Sequence, residues 1–153
     1  MRLLLISNST NAGEAYLEHP LQEIRSFLGS EPIKALFVPY AGVTISFDEY
    51  TARVRQRFRE IGHGITSVHE IGDPVQAVYQ AEAIVVGGGN TFHLVYMMHK
   101  TGIMEAIRLR ALEGVPYMGW SAGSNVACPT LMTTNDMPIY QPPSFNCMGL
   151  IPF

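Results

Sequence analysis

One pentapeptide, Gly119-Trp120-Ser121-Ala122-Gly123, limits the possible folds of this chain more than any other segment. It follows an apolar run and precedes small residues, 122–127, that can form a helix. In a Gly-X-Ser-X-Gly pattern the serine lies on a sharp strand-to-helix turn that projects its hydroxyl away from a sheet. The glycines leave room for the adjacent strand and helix. The segment therefore predicts an α/β fold with Ser121 as a nucleophile, and the alternative is a small-residue packing turn.

Short apolar runs alternate along the chain with stretches of helical periodicity. This alternation is typical of a parallel sheet with helices on its faces. Ser46 and Asp73 are predicted to begin helices, and glycines are expected to end two others, while the proline-rich stretch after Met137 is predicted to be loop. The predicted strands are Leu3–Ile6, Ala35–Val38, Ile65–Val68, Ala83–Val86 and Tyr117–Trp120.

Size and charge exclude several classes of protein. The 153 residues fit a single α/β domain, 1–153, and 47% of them are apolar, which is enough for a core. The net charge of −3 argues against a nucleic-acid partner, which would favour a basic face. No stretch approaches the roughly 20 apolar residues of a membrane span. The two cysteines form neither a zinc motif nor a disulfide framework. We therefore expect reduced thiols, no metal and a cytoplasmic protein.

A glycine loop, 87–90, follows the predicted strand Ala83–Val86, and Thr91 is predicted to cap the next helix. Successive glycines leave backbone N–H groups open to a phosphate or to a developing oxyanion. The segment lacks both the dinucleotide-binding and the P-loop patterns, and the nearest lysine, Lys100, is about two helical turns away. The oxyanion interpretation, with the Ala122 N–H as a further donor, fits a nucleophilic serine better than phosphate binding does. A tight turn without a ligand remains the alternative.

A serine nucleophile needs a base, normally an imidazole. The chain has five histidines, and none of them follows Ser121. His93 is near the glycine loop in sequence, but it is predicted to lie within a helix. Asp136 follows the serine motif in a segment that is predicted to be a loop. It is a candidate for the acid that orients the base, or it is an ordinary turn residue.

Several segments together resemble the S51 family of serine peptidases: LLLISNST, FVPYAGVT, IVVGGGNTF, GWSAGSNVACPT and TTNDMPI. The resemblance implies a three-layer sandwich with a mainly parallel sheet, like that of class I glutamine amidotransferases. It implies hydrolysis of small acidic dipeptides, Asp-Xaa, without metal or organic cofactor. It also implies Ser121 as nucleophile, with Gly88, Gly89, Asn90 and Ala122 around the oxyanion and substrate. Asp136 or a later glutamate would be the acid.

Members of that family are longer, and their catalytic histidine lies in an Asn-Pro-His segment. The resemblance places that segment just beyond Phe153. We therefore expect a C-terminally truncated domain that is inactive alone. Its exposed apolar surface would favour a homodimer or association with the missing segment. The alternative is a non-catalytic remnant that binds acidic peptides or a partner.

Overall fold

A single parallel sheet forms the centre of the computed structural model, which describes residues 1–153. Its strands pair in the order β1-β5-β4-β2-β3. All five predicted strands are confirmed. The third ends at Ser67 rather than Val68, because Val68 begins a turn of 3-10 helix, Val68–Glu70. The strands are β1 (Leu3–Ile6), β2 (Lys34–Val38), β3 (Gly64–Ser67), β4 (Ala83–Val86) and β5 (Tyr117–Trp120).

Helices cover both faces of the sheet, which confirms the three-layer α/β sandwich. Within β4, Ala83 and Val85 pack against one helical layer, and Ile84 and Val86 pack against the other. This is the burial expected of a strand with both faces covered. No helix has both the length and the apolar character needed to cross a lipid bilayer. One layer holds α1 (Leu21–Leu28) and α2 (Phe47–Glu60), and the other holds α3 (Pro74–Gln80), α4 (Thr91–Lys100), α5 (Ile103–Leu112) and α6 (Ala122–Asn125).

The helix starts follow the sequence signals with one exception. Ser46 Oγ accepts from the Glu49 N–H at 3.1 Å, and Asp73 caps α3 ahead of Pro74. The prediction that Thr91 caps α4 is wrong. Asn90 has extended backbone angles and its Oδ1 accepts the His93 N–H at 3.1 Å, so Thr91 is the first helical residue.

The C-terminal part of the chain carries little regular structure, as its proline content predicts. Helix α6 is shorter than the stretch 122–127, because its last turn tightens ahead of Pro129, which cannot continue a helix. A 3-10 turn, Leu131–Thr133, follows. From Met137 the chain forms loops, and a single bridge joins Thr130 to Asn146.

The strand order opens a crevice at the carboxyl edge of the sheet. The loops after β1 and β2 lead to helices of one layer, whereas those after β4 and β5 lead to the other layer. In these two adjacent pairs, β2 with β4 and β1 with β5, the two strands therefore send their loops to opposite sides of the sheet. Ligand sites of open α/β sheets lie at such reversal points.

Candidate active site

Ser121 follows β5 directly and adopts a rare backbone conformation, with φ 53° and ψ −114°. Leu17 is the one other non-glycine residue with positive φ. Such a conformation costs about 1–3 kcal/mol, so the surrounding contacts must enforce it. The Ser121 N–H donates to the Ile6 carbonyl at 3.0 Å. The Ser124 hydroxyl lies 2.8 Å from the Gly119 carbonyl and so ties the helix to the preceding strand.

The glycines around Ser121 are required by close packing. A Cβ on Gly119 would collide with the Gly123 backbone, and a Cβ on Gly123 would collide with the Val86 carbonyl. A Cβ on Gly88 would lie 2.8 Å from Ser121 Cβ. The glycine loop after β4 therefore packs directly against the serine, and the turn is the strained elbow that the sequence predicts.

The glycine loop presents free backbone donors beside this serine. Asn90 N donates to the Ala41 carbonyl at 2.8 Å, and Tyr50 Oη donates to the Gly88 carbonyl at 2.9 Å. These bonds fix the loop from two sides. The N–H groups of Gly88 and Gly89 donate no hydrogen bond within the chain. They are therefore available to a negatively charged or carbonyl oxygen near Ser121.

Three aromatic side chains, Tyr16, Tyr50 and Trp120, form a wall next to the elbow. Trp120 Nε1 donates to Tyr50 Oη at 3.3 Å, and Tyr16 Oη donates to the same oxygen at 3.3 Å. Burial raises the pKa of Tyr50, and it raises the pKa of Tyr16 with a further contribution from Tyr50. Both hydroxyls are therefore protonated at neutral pH, and Tyr50 can donate to the glycine loop.

A cavity of about 480 Å³ lies over these groups at the carboxyl edge. It brings together five of the six predicted site residues, whereas Ala122 is buried behind Ser121 at the start of α6. The sequence analysis missed Tyr16, Tyr50 and Arg53, whose only sequence signal is proximity to predicted loops and helix starts. The lining residues are Asn8, Ser9, Thr10, Tyr16, Ala41, Gly42, Val43, Thr44, Ile45, Tyr50, Arg53, Gly88, Gly89, Asn90, Trp120, Ser121 and Asp136.

Asp136 contacts the start of α4. Its Oδ2 accepts from the Thr91 N–H at 2.7 Å and from Thr91 Oγ1 at 2.6 Å, and Asn90 Nδ2 donates to the Met137 carbonyl at 2.8 Å. These bonds dock the segment after the elbow helix onto the glycine loop. Asp136 lines the cavity, and it contacts no histidine. Its Oδ1 accepts no hydrogen bond within the chain.

No histidine lines the cavity. His93, the one closest to the glycine loop in sequence, donates from Nδ1 to the Tyr40 carbonyl and packs against Tyr96 and Tyr140. The other four also have contacts elsewhere. They are His19 with Glu14, His63 with Gly29 and the Ile33 N–H, His69 with Ser67 and Asp48, and His99 with the Asn146 carbonyl.

One cluster away from the cavity has the composition of a metal site. Ligand atoms of Asp48, His69 and Glu70 lie within 4.8 Å of one another. His69 Nε2 is 2.7 Å from Asp48 Oδ1, while Glu70 accepts from Arg55 and from the Ser67 N–H, each at 3.1 Å. These bonds satisfy the cluster internally, so its geometry does not require an ion.

Comparison with known proteins gives one consistent result. The chain matches Peptidase family S51 over residues 3–153. It is 51% identical to a peptidase E of Nostoc sp. over 99% of this chain, and 49% identical to a peptidase E of Streptomyces coelicolor over 100%. Among solved structures, a candidate peptidase E of Listeria monocytogenes superposes with a TM-score of 0.78 at 20% identity, covering 97% of this chain and 74% of that one. At that identity the last match supports the fold alone.

The lengths of these proteins differ. The chain spans 63% of the Nostoc protein and 62% of the Streptomyces protein. The family match itself extends over nearly all of the present chain. The expectation of a missing C-terminal part is not confirmed by these matches and stays a prediction.

Proposed function

Because the chain belongs to peptidase family S51, we propose that it carries the nucleophile of a serine peptidase that cleaves dipeptides with an N-terminal aspartate. The observation that carries the proposal is the elbow. Ser121 has a strained, positive φ and lines the cavity beside two unpaired backbone donors. An accessible serine held in this conformation is suited to attack a carbonyl carbon in the cavity.

The donors for the oxyanion would come from two loops. Attack by Ser121 Oγ places negative charge on the former carbonyl oxygen. The free N–H groups of Gly88 and Gly89 lie on one side of the serine. The Ala122 N–H, on the residue after the nucleophile, is the usual further donor at an elbow. Loss of one such donor typically lowers kcat by about 10²–10³.

None of the residues 1–153 is placed to act as the general base for Ser121. All five imidazoles have contacts away from Ser121. We therefore propose that a histidine outside residues 1–153 removes the proton from Ser121, in agreement with the Asn-Pro-His segment that the family resemblance implies. Asp136 would orient this imidazole through Oδ1 while Oδ2 stays bonded to Thr91.

A chimera tests this proposal. Residues 1–153 would be joined to the remaining C-terminal part of the Nostoc peptidase E, and Asp-Leu hydrolysis compared between the chain alone and the chimera. We expect the chimera to cleave Asp-Leu and the chain alone to be at least about 10³-fold slower, because a triad member is missing. Ser121→Ala should inactivate the chimera, and Ser30→Ala, at an exposed serine, should leave it unchanged.

Two results would contradict the proposal. Equal turnover by the chain alone would place the base within residues 1–153. A folded chimera that cleaves Asp-Leu with Ser121 replaced by alanine would remove Ser121 as the nucleophile.

A second candidate function is binding without turnover. It is favoured by the lack of any histidine at the cavity. Under this alternative the chain holds an acidic peptide or a partner and the Ser121 hydroxyl stays unreacted. A folded chimera that binds Asp-Leu without cleaving it would support this function. Phosphate binding has less support, since the Lys100 ammonium lies 5.7 Å from the Tyr96 ring centre and Lys100 does not line the cavity.

A further inference from the structure

The cavity beside Ser121 contains one cation that nothing in the chain neutralises. Its lining includes a single basic residue, Arg53, and a single acidic residue, Asp136. Asp136 already accepts two hydrogen bonds from Thr91. The Arg53 guanidinium forms no ion pair and donates no hydrogen bond within the chain. Its donors are therefore free for a ligand.

Packing holds this cation toward the cavity. Arg53 lies one turn after Tyr50 on α2, and its Cζ is 5.4 Å from the centre of the Tyr16 ring. Residues three apart share a helix face, and side chains tilt toward the helix N-terminus, which here is the carboxyl edge of the sheet. A guanidinium over an aromatic ring keeps its planar edge available for an anion.

The aromatic wall connects Arg53 to the elbow. Tyr16 packs edge-on against Trp120, with ring centres 6.3 Å apart, and Trp120 directly precedes Ser121. The loop after β1 contributes three more polar residues to the cavity lining, Asn8, Ser9 and Thr10, and all three are neutral. The cavity thus has a nucleophile in its floor and one unpaired positive charge on its side.

We infer that Arg53 binds a carboxylate of the dipeptide substrate, and that it selects acidic substrates where that carboxylate is the aspartyl side chain. The inference rests on the proposed function, because it assigns a substrate-recognition residue to the same cavity. The guanidinium fork matches a carboxylate with two parallel N–H···O bonds. An N-terminal aspartyl dipeptide offers two carboxylates, one on the aspartyl side chain and one at the C-terminus. Both present the same group to Arg53, so the ligands of the test must separate them.

Calorimetric binding to the 153-residue chain separates these carboxylates without requiring turnover. All variants would carry Ser121→Ala, so that no ligand is consumed. Three probes would be compared: Asp-Leu, Asn-Leu and aspartyl-leucinamide. We expect Arg53→Gln to weaken Asp-Leu binding by about 5- to 30-fold, the range of a charge-assisted hydrogen bond at a partly exposed site. Asn-Leu should be unaffected if Arg53 binds the side chain, and aspartyl-leucinamide should be unaffected if it binds the C-terminus.

Two further variants show whether the effect belongs to this guanidinium. Arg53→Lys should retain part of the affinity, because it keeps the charge and loses the fork. Arg59→Gln removes an exposed arginine of the same helix that does not line the cavity, and it should change nothing. High salt should reduce the Arg53→Gln effect, since an exposed charge is screened.

Two results of the Arg53→Gln variant would overturn the inference: an equal loss of affinity for all three ligands, or no loss of affinity. Failure of the chain with Arg53 intact to bind Asp-Leu would also overturn it. The chimera distinguishes this failure from failure of the proposed function. If the chimera cleaves Asp-Leu, Asn-Leu and aspartyl-leucinamide with the same kcat/KM with and without Arg53→Gln, the inference alone fails. If Arg53→Gln selectively weakens Asp-Leu binding but the chimera cleaves nothing, the peptidase proposal alone fails.

Discussion

Two serines at the carboxyl ends of strands, Ser121 after β5 and Ser67 in β3, have opposite surroundings. Ser121 lines a cavity and no imidazole contacts it. Ser67 is fully buried and lines neither cavity, yet its Oγ bonds to His69 Nδ1, while His69 Nε2 bonds to Asp48 at 2.7 Å. The ring nitrogens are used in the reverse order of a hydrolase triad, where the serine is on Nε2.

A serine that is hydrogen-bonded to a histidine is not for that reason a reactive serine. The cluster of Ser67, His69 and Asp48 has the three residue types of a triad, but its serine is fully buried and lines neither cavity, so no substrate reaches it. Its bonds tie the 3-10 turn after β3 to the start of α2. The Ser121 elbow has access, strain and free donors, but lacks a base. Strain and access therefore support the proposal that Ser121, and not Ser67, is the nucleophile.

The largest expected effect distinguishes the two serines by replacing each of them with alanine. In the chimera, Ser121→Ala should lower kcat for Asp-Leu by at least about 10³-fold, because the nucleophile is lost. Ser67→Ala should leave kcat within about twofold and should lower the free energy of unfolding by about 1 kcal/mol, through the lost bond to His69. Steady-state kinetics and urea unfolding measure the two. A large kcat loss in Ser67→Ala with intact folding would reverse the assignment.

A smaller effect is expected from crowding the elbow. In Gly88→Ala the new Cβ would lie 2.8 Å from Ser121 Cβ and 2.9 Å from the Trp120 carbonyl, so the loop must shift. We expect kcat/KM of the chimera to fall by about 10²-fold, since a displaced oxyanion donor costs this much. Gly72→Ala is the matched control, because its Cβ would meet no atom within 4 Å. Equal activities of the two variants would remove the glycine loop from the oxyanion site.

The Tyr50 hydroxyl should contribute less than the loop that it supports. Tyr50→Phe deletes the donor to the Gly88 carbonyl, a bond of 2.9 Å, and keeps the ring packing. We expect about a tenfold loss in kcat, equivalent to about 1.4 kcal/mol, with little change in KM. Tyr79→Phe, at an exposed tyrosine of α3, should have no effect. A change in KM alone would indicate substrate contact instead of positioning.

The smallest effect concerns the stability of the protein at acid pH and the Glu70 carboxylate, which accepts from the Ser67 N–H. Partial burial alone would raise the pKa of Glu70, but the Ser67 N–H and the Arg55 guanidinium hold that pKa below its usual value. A lowered folded-state pKa gives stability that is complete above the unfolded pKa, near 4.3, and is lost as the pH falls through the folded value. Glu70→Gln should therefore flatten this part of the stability–pH curve, measured by urea unfolding between about pH 2 and 6. An unchanged slope would contradict the ion-pair account.

Local sequence patterns predicted most of the fold. Strands β4 and β5 were predictable because continuous apolar runs suit strands buried on both faces. The elbow was predictable because Gly119 and Gly123 have no room for side chains. The cap of α4 was misplaced, because Asn90 and Thr91 are both good caps and only the backbone angles of Asn90 decide between them.

The sequence by itself determined the strands, the elbow and the glycine loop, because each follows from sterics and burial among residues close together in the chain. Only the tertiary structure decided which groups face Ser121. Arg53 lines the cavity because the start of α2 packs against Tyr16 and Trp120. Asp136 is held by Thr91 from a distant loop, and all five histidines make their contacts elsewhere. These contacts depend on strand order, and strand order is fixed by packing between segments far apart in sequence.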